Sequence, residues 1–374
     1  MGSTDLNSSD LYIGLISGTS ADGIDAALVS FEGSHPSLVA HHLHPIPADT
    51  RERLLSLFTP SDLQVDLMGE LDIEMGRLFA DAARTLLEHS NVPASHIRAI
   101  GSHGQTIRHR PSGNHPFTLQ IGDPNVICHA TDIDVVADFR RRDMACGGQG
   151  APLAPLFHQA VLASNAENRV ILNLGGIANI TLLPVDGSPI AMDTGPASGL
   201  MDSWCHLHRG ESFDCDGSWA AQGTVIEPLV SQWLSDPYFS LPAPKSTGKE
   251  YFHLPWAKEL AGAQFDSSEP ADIQASLLEL TARTVNNAIQ DLPVRADRIL
   301  VCGGGAHNKQ LMSRLQALSV CPVEPSDSSG VAGDWVEAMC FAWLAKCYLE
   351  NQKLDTGPFT GAKEPVLLGG LYKA

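Results

Sequence analysis

Ser17-Gly18-Thr19-Ser20-Ala21-Asp22-Gly23-Ile24-Asp25 breaks an otherwise apolar stretch, Tyr12 to Phe31, with two glycines, three hydroxyls and two aspartates. Gly18 and Gly23 allow backbone conformations and close approaches that a β-carbon blocks. Thr19 and Ser20 add hydroxyl donors, so such a turn can wrap phosphate oxygens. Carboxylates repel an anion unless a metal lies between them, which fits Asp22 holding Mg²⁺, directly or through water. Turns also favour Gly and Asp for conformational reasons alone.

Further chemistry-bearing turns follow. "LNLGGIANIT" places Asn173, Gly175 and Gly176 between two apolar runs, loosely echoing the first unit. "VCGGGAHN" sets Gly303, Gly304 and Gly305 after a strand pattern. Walker A is absent: at "STGKEYF" no glycine stands at the required offset before Gly248-Lys249, and Glu250 follows. The GxGxxG spacing of a dinucleotide site is also missing. "MDTGP" holds Asp193-Thr194-Gly195. An aspartic protease needs two such aspartates facing each other and sharing a proton; Asp355-Thr356-Gly357 repeats the letters, but those proteases are all-β, which the alternating strand and helix patterns here are not.

The elements that must position these residues alternate between strand and helix. Strand–turn–strand units are expected over 12–31 and 169–185. Leu67, Leu71, Met75, Leu78, Phe79, Ala82 and Leu86 predict a helix within 60–90. Strands are expected at 97–101, with "GSHGQTI" at the end of that strand, and at 118–121, 133–139 and 298–302. Asp123-Pro124 reads as an N-cap followed by Pro at the first helical position. Helices are expected over 270–291, 308–318 and 334–350, and 205–255 reads as an irregular, aromatic-bearing insertion. The pattern implies an α/β protein of two lobes with a cleft between them.

Composition narrows the function. A net charge of −19 argues against general nucleic-acid binding but not against a nucleotide, whose phosphates backbone amides and Mg²⁺ can hold. The apolar runs are too short to span a membrane. Met1 to Leu11 lacks a basic-then-apolar signal, so a cytoplasmic location is expected. The eight scattered cysteines form no CxxC pair and fit free thiols in a reducing compartment. Cys205, His206 and His208 lack a fourth metal ligand at sensible spacing.

Taken together, "GLISGTSADGID", "GSHGQTI", "DFRRRDMACGGQGAPLAPLFH", "LNLGGIANIT", "MDTGP", "DCDGSWAAQG", "STGKEYF", "CGGGAHN" and "DWVEAMCFAWLA", in this order, resemble the anhydro-N-acetylmuramic acid kinases of bacterial cell-wall recycling. The resemblance implies the two-lobed fold shared by sugar kinases, Hsp70 and actin, with an ATP cleft between lobes: 10–165 as the first lobe, 166–333 as the second, and 334–374 returning to the first. It implies that Gly18, Thr19, Ser20, Ala21, Asp22, Gly23, Ile24 and Asp25 hold ATP phosphates and metal. Asn173, Gly175 and Gly176 would form a second phosphate loop, with Gly303 to Gly305 near adenosine.

The implied substrate is 1,6-anhydro-N-acetylmuramic acid, and the implied product N-acetylmuramic acid 6-phosphate. Asp193 would be the base that readies water, and Arg140 the partner of the lactyl carboxylate, with Arg141 and Arg142 as neighbouring competitors. Glu337, His103 and Gln105 would line the sugar subsite, although a helix-start carboxylate and a structural histidine account for two of them equally. Family members suggest a homodimer. The sequence departs from the family's D-T-G-P-G-N at Ala197-Ser198, and has Ala21 where a larger apolar residue is usual. A non-kinase ATPase of the actin type would keep both hairpins but would not need "GSHGQTI" or "DFRRRD". A sugar-binding module without turnover would fit the Ala197-Ser198 change.

Overall fold

The computed structural model describes residues 10–18, 21–33, 35–58 and 64–374. In chain order come β1 (Leu11–Ser17), β2 (Gly23–Ser30), β3 (Ser37–Pro45), α1 (Ala48–Phe58), α2 (Val65–Ser90), β4 (Ile97–Arg110), β5 (Phe117–Ile121), α3 (Pro124–Thr131), β6 (Val135–Ala137), α4 (Phe139–Ala145) and α5 (Ala154–Leu162). Next are β7 (Arg169–Leu174), β8 (Ile177–Leu183), β9 (Ile190–Pro196), α6 (Ser198–Arg209), α7 (Glu227–Leu234), α8 (Leu254–Ala261), α9 (Ala263–Ser267), α10 (Pro270–Gln290), β10 (Arg298–Cys302), α11 (Lys309–Leu318) and β11 (Val323–Pro325). The chain ends with α12 (Val336–Leu349), α13 (Gly357–Thr360) and β12 (Gly370–Tyr372). It divides into two compact units: residues to Phe157 with Trp335–Ala374, and His158–Asp334.

In the first unit the strand order is β12-β6-β4-β1-β2-β3, with β5 paired to β4. β1 and β2 form an antiparallel hairpin, while β4 runs parallel to β1. On one face α2 buries Leu71, Met75, Phe79, Ala82, Ala83 and Leu86 at helical spacing. On the other, α12 reaches the strand backbones. A β-carbon on Gly14 would strike Ala338 O, and one on Gly101 would strike Phe341 O. These two glycines therefore set how closely α12 approaches β1 and β4, and with it the position of its first turn.

In the second unit the order is β11-β10-β7-β8-β9. β10 is parallel to β7 and β11, and β8 is antiparallel to both neighbours. The carboxyl ends of β7, β9 and β10 therefore share one edge, where α/β sheets place ligands. Behind the sheet α10 buries Ile273, Leu277, Leu278, Leu280 and Val285.

Three sequence expectations need correction. "GSHGQTI" does not follow a strand; it lies inside β4, which runs to Arg110 because a register shift between Leu15 and Ser17 lets pairing continue through Gln105. The strand expected over 133–139 stops at Ala137. Asp138 turns the backbone left-handed (φ 68°), and Phe139 begins α4, so Arg140 is helical. The stretch 205–255 is irregular for most of its length, as expected, but α6 runs to Arg209, α7 occupies Glu227–Leu234, and Trp219, Trp233, Tyr238 and Phe252 are buried in the unit's core rather than exposed. Aromatic content there reflects core packing, which composition alone does not separate from loop.

Candidate active site

In the first unit, the turn between β1 and β2 is held from behind. Thr19 and Ser20 lie outside the described residues. Gly18 O accepts from Ala21 N at 3.1 Å and from Gln105 Nε2 at 3.1 Å. The Ser17 hydroxyl sits 2.9 Å from Gly23 O and 2.6 Å from Gln105 Oε1. Ala21 and Ile24 are fully buried in the core, so their side chains face away from any ligand and only their backbones border the turn. Asp22 is exposed, and Asp25, half-buried, pairs in register with Ile16 and Leu43.

Expected at a sugar subsite, Gln105 is instead fully buried with its amide committed to the turn and to Thr106 O. His103 is likewise enclosed. Its Nδ1 lies 2.9 Å from Gly104 O and its Nε2 2.8 Å from Arg140 Nε. Burial, with the Arg140 charge adding to it, holds the imidazole well below its usual range. The ring is therefore neutral, protonated on Nδ1, and accepts from the arginine on Nε2. These two polar side chains position; they do not present free donors.

Arg140 differs from its neighbours. Nε is fixed on His103 and Nη1 donates to Gly150 O at 2.9 Å, leaving Nη2 without an acceptor among the described residues. Arg141 is exposed and paired with Asp138, and Arg142 reaches Leu367 O. Glu337, in the first turn of α12, keeps solvent access to its side chain yet is crowded by protein. That crowding raises its carboxyl, and the Arg140 guanidinium partly opposes the rise. No hydrogen bond joins the two, so a fork-shaped cation and a carboxylate face one region with unused capacity on both.

In the second unit, Asp193 is the middle residue of β9, opposite Asn179. Its backbone N–H donates to Lys245 O at 2.9 Å, and its carbonyl accepts from Tyr238 Oη at 2.8 Å. Its Oδ2 accepts from Thr247 N at 2.8 Å. Burial pushes the carboxyl up to about 6, with the Thr247 N–H and the Ser246 hydroxyl pulling the other way and Glu250 adding to the rise. Met192 and Thr194, pointing to the opposite face of the strand, line a cavity of about 500 Å³ with Phe239, Lys245 and Thr284. No residue singled out from the sequence lines that cavity.

The glycine turns meet beside this strand. Gly176 O accepts from Ala197 N and Gly199 N, and Gly175 O from Ser198 N. Gly303 has φ 80°, and a β-carbon there would strike Asn173 Oδ1. A β-carbon on Gly305 would press into Leu174, while Gly304 faces open space. Ala197 adopts φ −131°, outside the left-handed region that glycine serves, and is fully buried. Thus Asn173, Gly175, Gly176, Asp193 and Gly303 to Gly305 gather at one sheet edge. Asp22, Arg140 and Glu337 belong to the first unit, with His103 and Gln105 behind them.

Sequence reading missed the segment 245–249, which runs alongside Asp193 and crosses to the Gly176 turn. Its signal is the hydroxyl- and glycine-bearing "STGKEYF", whose letters do not show that it contacts Asp193. Among the described residues no cluster of His, Cys, Asp and Glu is arranged to hold a metal by itself, and all eight cysteines are free thiols. No helix among them is long and apolar enough to cross a membrane.

A model of the family described as anhydro-N-acetylmuramic acid kinase matches residues 10–374. A relative of that name from Coxiella burnetii is 52% identical over 365 residues, covering 96% of this chain and 97% of its own. Another, from Xanthomonas campestris, is 51% identical over 371 residues and covers 98% of each. Among solved structures, the activator of 2-hydroxyisocaproyl-CoA dehydratase from Clostridium difficile with bound ADPNP aligns over 91% of this chain and 96% of its own. Its identity is 11% and its TM-score 0.47, a likeness too loose to carry an argument. With half its residues shared along nearly the full length of curated relatives, the chain belongs to the anhydro-N-acetylmuramic acid kinase family.

Proposed function

We propose that this chain uses ATP and water to open 1,6-anhydro-N-acetylmuramic acid and phosphorylate its O6, giving N-acetylmuramic acid 6-phosphate and ADP. Family membership supports the substrate pair. The observation that carries the mechanism is the Asp193 carboxylate, raised to about 6 and steered by a backbone N–H. A base with that value is mostly ionised at neutral pH and still takes a proton readily.

Asp193 removes a proton from water as the water oxygen bonds to C1. The C1–O6 bond breaks, and its electron pair stays on O6. O6 bonds to the γ-phosphorus while the bond from phosphorus to the β-phosphate oxygen breaks, leaving ADP. Coupling the two events avoids a free alkoxide. Arg140 pairs with the lactyl carboxylate through the edge that His103 and Gly150 leave open, a geometry suited to a planar fork. Glu337 accepts from sugar hydroxyls. Asn173 and the glycine turns at 175–176 and 303–305 receive the nucleotide, with the first-hairpin turn at its phosphates.

Mg²⁺ fits the exposed carboxylate of Asp22, because that ion is commonly held by one or two carboxylates plus phosphate oxygens; when bound it neutralises phosphate charge. A cytoplasmic homodimer completes the reading, supported by the family resemblance and testable by light scattering. The test of function is ADP release with and without anhydrosugar, with phosphorus NMR of the product. Release that depends on the sugar, with a sugar 6-phosphate signal, is expected. ADP release indifferent to the sugar refutes the proposal and favours a plain ATPase.

A further inference from the structure

The segment after Lys245 does more than border Asp193. Lys245 Nζ donates to Tyr238 O at 3.2 Å and Phe239 O at 3.1 Å, fixing one end. Thr247 N–H holds the Asp193 carboxylate. Two residues on, the Lys249 side chain lies across the Gly175-Gly176 turn. A β-carbon on Gly176 would collide with Lys249 Cε and stand 3.1 Å from its Nζ. The lysine can lie there because residue 176 has no side chain.

Three features of this corner have unused capacity. The Lys249 ammonium is exposed, with no hydrogen bond or ion pair among the described residues. Its charge acts on Asp202, whose carboxyl burial raises to about 6 while Lys249 opposes the rise. The carbonyls of Gly175 and Gly176 are taken by the amides of residues 197–199, whereas the turn's own N–H groups meet no acceptor among the described residues. Thr247 Oγ1 is buried and has no hydrogen-bond partner. A cation without an ion pair, two turn amides and an orphaned hydroxyl lie at this corner beside the Asp202 and Glu250 carboxylates, and the donors suit a polyanionic ligand.

We infer that Lys249 is a phosphate ligand: its ammonium, together with the Gly175-Gly176 amides, binds the β- or γ-phosphate of the nucleotide. The assignment rests on the kinase reading above. It gives the lysine of "STGKEYF" the charge that a Walker lysine supplies, delivered from a different segment. The same segment aligns the base, so Thr247 and Lys249 set the base and the phosphate in one register.

The test compares Lys249→Met, which keeps the stem, with Lys249→Arg, which keeps the charge. Affinities for ATP, ADP and AMP are measured by calorimetry, alongside KM for ATP and for anhydrosugar. Lys249→Met is expected to weaken ATP roughly 10–100-fold, the worth of a lost charge-assisted hydrogen bond. AMP affinity and the KM for anhydrosugar stay at wild-type values, and Lys249→Arg recovers most of the loss. Unchanged ATP affinity in Lys249→Met, or an equal loss for AMP, overturns the assignment. If the wild type shows no sugar-dependent ADP release, the kinase reading fails instead. The ATP-against-AMP comparison still decides whether Lys249 touches phosphate.

Discussion

Replacing Asp193 by Asn should stabilise the fold while abolishing turnover. The carboxyl is raised from an ordinary 3.8 to about 6. A raised folded value means that the folded chain binds the proton more tightly than the unfolded chain does. Between about pH 4 and pH 6 the unfolded chain has released a proton that the folded chain keeps. Stability therefore falls as pH rises through that window and is lowest above it. The full difference corresponds to about 3 kcal/mol, and residual solvent contact at this half-buried side chain reduces it to about 1–3 kcal/mol. Asparagine never ionises, and its Oδ1 still accepts from Thr247 N–H while its amide faces the Ser246 hydroxyl. Urea titrations at pH 8 and pH 4 check this, read by fluorescence of Trp204, Trp219, Trp233 and Trp256, all buried in the same unit's core. The variant should exceed the wild type at pH 8 and match it at pH 4, with activity about 10²–10⁴-fold lower. Equal stability at pH 8, or a gap that persists at pH 4, refutes the claim that the protein holds this carboxylate out of water.

The other outcomes concern the same two clusters. In the wild type, kcat/KM should rise with pH through about 6 and level off above it, since Asp193 acts only when ionised; a rate independent of pH between 5 and 7 speaks against the base role. Arg140→Lys should raise the KM for anhydrosugar roughly 10–100-fold and leave that for ATP near its wild-type value, because an ammonium cannot replace a planar fork. His103→Phe should shift the same constant less, and an equal shift in both KM values would argue for general disruption. Gln105→Leu leaves the Ser17 hydroxyl and Gly18 O short of a partner. It should cost about 1–3 kcal/mol in urea titrations and raise the KM for ATP; unchanged values would remove Gln105 as the support of the turn.

Local signals made much of the scaffold legible. The strand at 298–302 and the long helix ending at Ser90 follow from apolar period and breakers, and they form where expected. The Asp123 cap is visible as Asp-Pro and indeed accepts from Asn125 N. Glycines at turns announced themselves because a missing side chain has few other uses there. The errors arose where tertiary pairing overrode local cues. β4 continues through two glycines because β1 and β5 both pair with it, and the aromatic stretch after Arg209 became core because the second unit needed its bulk.

The site was legible only for residues whose types announce their chemistry. Asp193 and Arg140 stand out in their motifs, but what makes them usable comes from residues distant in sequence. The Asp193 carboxylate is steered by the backbone of Thr247, 54 positions away, and a backbone N–H has no letter. Arg140 is set apart from Arg141 and Arg142 by one acceptor, a neutral imidazole 37 positions earlier. Three consecutive arginines look alike in sequence, yet helical geometry sends each in a different direction, and only one meets that ring. The same logic moves His103 and Gln105 from ligands to supports. A buried polar side chain must satisfy its own donors and acceptors first, and theirs are satisfied by the protein, so the capacity left over for a ligand lies on the groups they hold.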